Sequence, residues 1–251
     1  MRPRGAVPLV ALSLVAAGVV GPAASDAAPA PQAHARAVVS TKVFGTSAKG
    51  RDLKAFRLGV PTSKRKVVFI ATMHGNEAGP AKVLLNLIEG STIKDADIWV
   101  IPRLNVDGLL AHRRTNGRGV DLNRNFPVSW KRQTGTYNSG TKAASEPETK
   151  ALMRFLAAID PTYVVSFHQP LNGVDTSFGR TRKIGLRLAA GLHLPRKEFD
   201  CHGGCHGTFT QWFNATFKGV AITVEYGKHL SRKQETVTGP NGLLSSVFAD
   251  R

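Results

Sequence analysis

Apolar segments of strand length alternate with segments of helical periodicity along most of the chain. Runs rich in β-branched residues predict four buried strands, at 66–70, 97–104, 162–167 and 220–224. Apolar residues spaced for one face of a helix predict helices at about 80–89, 146–158, 182–192 and 209–214, with a terminal helix at 241–249. This alternation predicts a single α/β domain, with a mixed, mostly parallel sheet and helices on both of its faces.

Two further regions lie outside this alternation. Residues 38–59 alternate apolar and polar around a turn at Gly50, which predicts an N-terminal hairpin. Residues 109–144 contain many Arg, Asn, Gly and Thr with little periodicity, which predicts a long and therefore functional loop. After this loop, the SEPE sequence at 145–148 has the pattern of a capping box with proline in the first helical turn.

Three predicted strands end on residues that can bind metal or transfer protons. His74 and Glu77 follow the first strand, His168 follows the third, and Glu225 follows the fourth. Because the carboxyl ends of parallel strands meet at one edge of a sheet, these four side chains are expected to converge there. His74 and Glu77 form a candidate metal site, but two ligands cannot hold zinc, so a third must come from elsewhere in the chain.

Each of these residues also has an ordinary interpretation. A histidine and a glutamate three positions apart most often belong to a polar turn, and an acid at a strand end is often simply solvated. A catalytic metal site needs three ligands, an open position for water and a carboxylate close enough to take that water's proton. The hypothesis therefore depends on the convergence of the strand ends rather than on any one motif.

Residues 1–35 have the layout of a secretory signal peptide and an Ala/Pro-rich leader. Arg2 and Arg4 precede an apolar run at 6–20, and small-residue sites follow at 23–25 and 33–35. A membrane anchor is the weaker alternative, because a spanning helix needs roughly 20 apolar residues. The sequence thus predicts export, no stable membrane anchor after the leader is removed, and a secreted or wall-associated location.

The chain is strongly basic, with 34 lysines and arginines, 17 aspartates and glutamates, and a formal net charge of +17. Residues 1–35 hold two arginines and one aspartate, so the remainder has a charge of +16. Outside a cell such a charge favours anionic wall polymers or lipid surfaces, and the sequence shows no nucleic-acid-binding motif. Alternatively, scattered lysines and arginines only keep an exported protein soluble.

The two cysteines, Cys201 and Cys205, enclose a short glycine-containing loop. In oxidising surroundings the simplest interpretation of such a pair is a disulfide. Metal binding together with His202 and His206 is the alternative. Two cysteines do not by themselves complete a zinc ligand set.

Five motifs, in order, resemble those of the zinc carboxypeptidase (M14) family. They are HGNE at 74–77, RLNVDG at 103–108, GVDLNRNF at 119–126, SFH at 166–168 and TVEYG at 223–227. The resemblance covers about residues 38–250. The small size, the RRTNGRGVDLNRNFP block and the short segment before TVEYG are most similar to the bacterial murein peptide amidase branch. The resemblance implies that residues 36–251 form a zinc peptidase catalytic domain of carboxypeptidase-like fold.

The resemblance also implies a metal site and a catalytic acid–base residue. One zinc ion would be bound by His74, Glu77 and His168, with water in the fourth position. Two imidazoles and one carboxylate suit that arrangement, because they leave one coordination site open. Glu225 would be the general base and then the proton donor to the leaving amine.

Further roles are implied for the long loop. Arg114 matches the family arginine that stabilises the oxyanion at the scissile carbonyl, with its neighbour Arg113 as the alternative alignment. Asn123 and Arg124 match the pair that binds the terminal carboxylate of the substrate. Asp121 matches a carboxylate that orients His74.

Two departures from the family pattern are visible. Digestive carboxypeptidases carry a tyrosine about 20 residues before the catalytic glutamate, and none of Tyr137, Tyr163 and Tyr226 fits that position. This absence favours the amidase branch. Residue 106 is a valine where the family usually has proline, a minor change to the rigidity of the turn.

The leading hypothesis is zinc-dependent hydrolysis of an amide bond in cell-wall peptides, at the γ-D-glutamyl–diaminopimelate link or a close relative. The first alternative is a carboxypeptidase that removes C-terminal residues from ordinary peptides. Aspartoacylase-like deacylases share H-x-x-E and a DLNR-like block, but the NVDG segment and the spacing to Glu225 favour a peptidase. A non-catalytic, basic wall-binding protein would explain the charge alone. The oligomeric state is not predicted.

Overall fold

The computed structural model describes residues 37–177, 179–199 and 204–251. Its strands are β1 (Val38–Thr46), β2 (Asp52–Gly59), β3 (Lys66–Ile70), β4 (Asp97–Ile101), β5 (Tyr163–His168), β6 (Leu171–Asp175), β7 (Arg196–Lys197) and β8 (Val220–Gly227). Its α-helices are α1 (Gly79–Glu89), α2 (Val106–Leu110), α3 (Pro147–Ile159), α4 (Arg182–Leu192), α5 (Phe209–Thr216) and α6 (Gly239–Ser246). Short 3-10 turns at Leu122–Arg124 and Gly135–Tyr137 and a π turn at Gln234–Thr238 complete these elements.

The strands form one mixed sheet in the order β1-β2-β4-β3-β5-β8-β6-β7. The four central strands β4, β3, β5 and β8 run parallel. The hairpin β1–β2 joins β4 in antiparallel fashion on one side, and β6 joins β8 in antiparallel fashion on the other. The predicted α/β domain with a mixed, mostly parallel sheet is confirmed.

Buried side chains divide the core into two layers, one on each face of the sheet. Val67 and Phe69 of β3 pack in a layer that also contains residues of α1, α4 and α6. Val68 and Ile70 alternate to the opposite layer, which contains residues of α3 and α5. Helices therefore cover both faces, and double-sided burial explains why the central strands have unbroken apolar runs.

The start of α3 differs from its prediction. The residue before the helix is Glu146, and no side chain caps the first turn. Ser145 instead donates a hydrogen bond to the Glu146 carboxylate, and the Glu148 carboxylate accepts one from the backbone of Ala48. The predicted capping box at 145–148 is therefore wrong, because Ser145 bonds to its neighbour Glu146 and the Glu148 carboxylate is taken by Ala48, far away in the sequence. A capping box does begin α5, where Thr208 and Gln211 satisfy each other's backbone groups.

Three short elements, β6, β7 and α2, were not predicted. β6, with the sequence LNGVD, has too few apolar residues to stand out, and β7 has only two residues. α2 has five residues, of which three precede the predicted loop at 109–144 and two lie at its start. The predicted ends of two elements lie too far along the chain: β4 ends at residue 101 rather than 104, and α6 ends at residue 246 rather than 249.

No helix in the described ranges is both long and apolar enough to cross a membrane. The leader predicted at 1–35 lies outside the described residues, and so do Cys201 and His202. The signal peptide and the disulfide between Cys201 and Cys205 therefore stay predictions.

Candidate metal centre and active site

The candidate ligands come from the carboxyl ends of two neighbouring parallel strands. His168 is the last residue of β5, and it alternates to the same face of the sheet as Val164. His74 and Glu77 lie in the turn between β3 and α1. Gly75 is required in that turn, because a Cβ there would overlap the backbone of Gly108.

The three side chains converge as the sequence predicts. Nδ1 of His74 lies 2.7 Å from Oε1 of Glu77, and Nδ1 of His168 lies 3.0 Å from Oε2. The two Nδ1 atoms are 3.3 Å apart. A tetrahedral zinc ion about 2.05 Å from each of two nitrogens would separate them by about 3.3 Å. The set therefore fits zinc, and within the described residues it is the one group of this kind that could hold a metal ion.

Each histidine meets an oxygen on the side away from this cluster. Oδ1 of Asp121 lies 3.2 Å from Nε2 of His74, although the pair is not aligned for a hydrogen bond. Oγ of Ser166 lies 2.9 Å from Nε2 of His168. Such partners fix the ring orientation of metal-binding histidines. Asp121 was predicted, whereas Ser166 was missed; its only signal was its position two residues before His168, on the same face of β5.

The electrostatics of the cluster suit a divalent cation. Burial opposes ionisation of Glu77, but hydrogen bonds with His168 and His74 hold the pKa of its carboxyl well below the usual range. Burial also opposes ionisation of Asp121, but the adjacent His74 ring and the charges of Arg114 and Arg124 lower the pKa of its carboxyl to about 2. Against the effect of burial, Asp121 and Glu77 raise the pKa of His74. Two buried carboxylates thus stay ionised beside the two imidazoles.

Glu225 lies next to His168 across the sheet. The two residues are directly paired in the parallel ladder between β5 and β8, where neighbouring strands lie about 4.8 Å apart. The carboxylate accepts a hydrogen bond from the backbone N–H of Leu171 at 3.2 Å. Burial raises the pKa of Glu225, against the opposing charge of His168. The predicted convergence of three strand ends is confirmed.

Arg114 reaches the metal cluster from the long loop. Its Nε donates to Oδ2 of Asp121 at 2.9 Å, and its Nη1 lies 3.3 Å from Nδ1 of His74 and 3.7 Å from Oε1 of Glu77. The side chain of Arg113 is exposed. The structure therefore selects Arg114 over Arg113 as the arginine beside the cluster.

Asn123 and Arg124 lie in the 3-10 turn that follows Asp121. Oδ1 of Asn123 accepts a hydrogen bond from the backbone N–H of Phe209 at 2.9 Å. The Arg124 side chain is 8% exposed, and burial lowers its pKa. No carboxylate within the described ranges forms an ion pair with Arg124. A buried guanidinium without an anionic partner is suited to bind an incoming carboxylate.

Tyr137 contacts both arginines of the site. Its ring centre lies 5.3 Å from the guanidinium carbon of Arg114 and 5.2 Å from that of Arg124. Such cation–π contacts hold the two like charges in fixed positions. Tyr137 does not match the lid position of digestive enzymes, and nothing in the loop sequence indicates that it stacks on the two arginines.

Comparisons with known proteins agree with this geometry. The family model for zinc carboxypeptidases (peptidase M14) matches residues 32–198. Murein peptide amidase A of Escherichia coli K12 is 33% identical over 173 residues, which cover 60% of this chain and 69% of that protein.

Two solved structures extend the comparison to the fold. The murein-tripeptide amidase of E. coli O157 has a TM-score of 0.69 and 27% identity, covering 83% of this chain and 92% of that one. Carboxypeptidase A of Helicoverpa armigera has a TM-score of 0.73 at 18% identity, covers 84% of this chain and 68% of that one, and shows likeness of fold alone. With its His-Glu-His site, the chain belongs to the zinc carboxypeptidase (M14) family and is a zinc-dependent metallopeptidase.

Proposed function

We propose that this metallopeptidase acts outside the cell on cell-wall peptides, and that it hydrolyses the amide bond between γ-D-glutamate and diaminopimelate or a close relative. The relatives named murein peptide amidase support this substrate class. The predicted export signal and the basic charge support the location. The structural observation that carries the proposal is a cavity with a carboxylate in its wall, lined in part by the strand that carries Glu225.

The residues around the metal site divide the reaction between them. A zinc ion held by His74, Glu77 and His168 supplies Lewis acidity that activates water and polarises the scissile carbonyl. Glu225 takes the proton of the attacking water and returns it to the leaving nitrogen. Arg114 donates hydrogen bonds to the oxyanion, a contribution of about 3 to 4 kcal/mol for a single donor in other enzymes.

The substrate carboxylate is assigned to the turn that follows Asp121. Arg124 offers a planar fork that matches a carboxylate, and its buried charge lacks an ion-pair partner in the described ranges. Asn123 lies beside it and is anchored to the first residue of α5. A residue held here by its carboxylate has its amide nitrogen directed toward the metal cluster and its side chain toward α5 and β8.

A cavity of about 280 Å³ lies between α5, β8 and the segment after β6. Thr223 lines it, two residues before Glu225 on the same face of β8. Gly173 of β6 pairs with Glu225, so the antiparallel register brings Asp175, which also lines the cavity, beside Thr223. Thr223, in the cavity wall, therefore lies about 7 Å along β8 from Glu225.

Most polar groups of the cavity wall already have partners. The Arg180 guanidinium donates to four backbone carbonyls within residues 214–219. The Asn214 side chain exchanges two hydrogen bonds with the backbone of Ala221. Oδ1 of Asp175 accepts from Ser177, whereas Oδ2 has no hydrogen bond to any described residue. A carboxylate oxygen thus remains for a ligand.

This wall favours a side chain that ends in an ammonium group. The free oxygen of Asp175 and the hydroxyls of Thr210 and Thr223 are acceptors for its three N–H donors. The diaminopimelate side chain ends in an ammonium group beside a carboxylate, for which Arg180 in the same wall is a counter-charge. Aromatic and aliphatic C-terminal residues carry neither group. The runner-up function is a carboxypeptidase acting on ordinary peptides, for which the same wall favours C-terminal lysine.

We expect the purified, zinc-loaded protein to release a new amine from L-alanyl-γ-D-glutamyl-diaminopimelate. Ordinary peptides that end in lysine or phenylalanine should be cleaved with kcat/KM at least about tenfold lower, since they lack the γ-glutamyl link. Mass spectrometry of products from both substrate sets, assayed side by side, measures this difference. Absence of cleavage of the muropeptide, with or without added zinc, would contradict the proposal.

We expect Asp175→Asn to lower kcat/KM for the diaminopimelate substrate by about 10- to 100-fold, because a charge-assisted hydrogen bond contributes about 1.5 to 3 kcal/mol. For a substrate analogue that lacks the distal amino group, Asp175→Asn should leave kcat/KM unchanged. The matched control is Asp52→Asn, at an exposed aspartate on β2 whose one ion pair among the described residues is with exposed Lys54. Equal losses of kcat/KM with both substrates would show that Asp175 does not recognise the substrate side chain.

A further inference from the structure

Two adjoining clefts outside the active site have basic walls. One has a volume of about 310 Å³ and is lined by Arg118, Lys150 and Arg154. The other, of about 350 Å³, is lined by Arg118, Arg132 and Lys142, with Glu146 as the acidic residue of its wall. Arg118 belongs to both walls, so the clefts form one continuous basic surface, here called the double cleft.

The positive charge of the double cleft is almost uncompensated. Among the described residues, Arg118 alone of the five cations has a carboxylate within ion-pair distance, that of Glu146 at 4.0 Å. That carboxylate is buried and already accepts hydrogen bonds from Asn116 at 2.8 Å and Ser145 at 2.7 Å. All five cationic side chains belong to exposed residues. A concave surface of this charge concentrates anions.

The lining also indicates what kind of anion fits. Thr46 and Thr141 add hydroxyl donors, and three of the five cations are arginines, whose forks suit phosphate oxygens. No aromatic side chain lines either cleft in the described ranges, whereas proteins that bind single-stranded nucleic acid stack bases on aromatic rings. The chemistry therefore favours a phosphate polymer without bases.

We propose that the double cleft binds a linear phosphodiester polyanion of the cell surface. A thin chain with one charge per repeat can follow both clefts, and each phosphate can pair with one of the five cations. Asn138, in the wall of the second cleft, directly follows Tyr137, which stacks on Arg114 and Arg124. Polymer binding thus holds the enzyme on the wall with its active site beside the anchor. This inference does not depend on which amide bond is cleaved.

The test compares two triple variants that remove the same charge. Arg118→Gln, Arg132→Gln and Arg154→Gln span both clefts, and Arg182→Gln, Arg196→Gln and Arg232→Gln remove three exposed arginines elsewhere. Binding to poly(glycerol phosphate) is measured by titration calorimetry across a salt series. We expect the cleft variant to bind at least about tenfold more weakly. The slope of log K against log salt concentration should also be smaller by about 2, because each of the three lost phosphate contacts contributes about 0.7.

The control variant should bind like the unaltered protein, and both should cleave a small soluble peptide at the unaltered rate. Equal weakening of both triple variants would mean that dispersed charge, not the double cleft, binds the polymer. Preference for oligo(dT) of equal charge would indicate base recognition and overturn the proposal, and preference for polyglutamate would overturn the phosphate assignment. Absence of binding at physiological salt would also overturn it.

Discussion

Replacing Glu225 by glutamine is expected to lower kcat by about 10³- to 10⁴-fold, the upper part of the range for a positioned acid–base group. The amide of glutamine cannot accept the proton of the attacking water or deliver it to the leaving nitrogen. Glu225 is not one of the three metal ligands, so zinc content should remain near one ion per chain. Amine release and elemental analysis measure the two properties on the same sample.

The matched control is Glu89→Gln, at an exposed glutamate that ends α1. It should keep full activity and full zinc content. A Glu225→Gln protein that retains substantial turnover would rule out the assigned role. If it instead lost zinc, the carboxylate would belong to the metal site rather than to proton transfer.

Replacing His168 by asparagine should abolish activity and weaken zinc binding by about 100-fold or more, because zinc prefers nitrogen and sulfur ligands to an amide oxygen. For the unaltered protein, zinc at 1,000 times its Kd adds about 4 kcal/mol to the free energy of unfolding. That corresponds to a Tm increase on the order of 10 °C for a domain of this size. The variant should show almost none of this increase.

Calorimetric Tm values with and without zinc measure this effect, and circular dichroism checks the fold. His193→Asn is the matched control, since His193 ends α4 in a left-handed conformation that asparagine tolerates. It should keep the zinc-dependent Tm increase and the activity. An unchanged zinc effect in the His168→Asn protein would contradict the three-ligand site.

The metal centre could be predicted from the sequence because parallel strands leave a strong local pattern. Val67 to Ile70 is apolar without interruption, since β3 is buried on both faces, and the first chemically capable residues beyond it must lie at its carboxyl end. The same reasoning placed His168 and Glu225. The two residues are paired directly in the β5–β8 ladder, so two local patterns far apart in the sequence correctly indicated one shared site.

Features set by long-range contacts could not be predicted in this way. β6 is identified by its pairing with β8, not by its own composition, so Asp175 could not be assigned to a cavity. Tyr137 meets two arginines only after the loop has folded around it. The SEPE pattern at 145–148 failed for the same reason, because Ala48, about 100 residues away, takes the Glu148 carboxylate.

The anchoring of α5 by Asn123 has a consequence for selectivity. The backbone N–H of Phe209, the first residue of α5, donates to Asn123, and Thr210 in the next position lines the 280 Å³ cavity. We expect any shift of Asn123 toward an incoming carboxylate to be transmitted to that wall through this hydrogen bond. In the proposed reaction the two ends of the departing amino acid would then be recognised cooperatively. We therefore expect the loss of binding free energy on modifying both ends of a substrate to differ from the sum of the losses for the single changes.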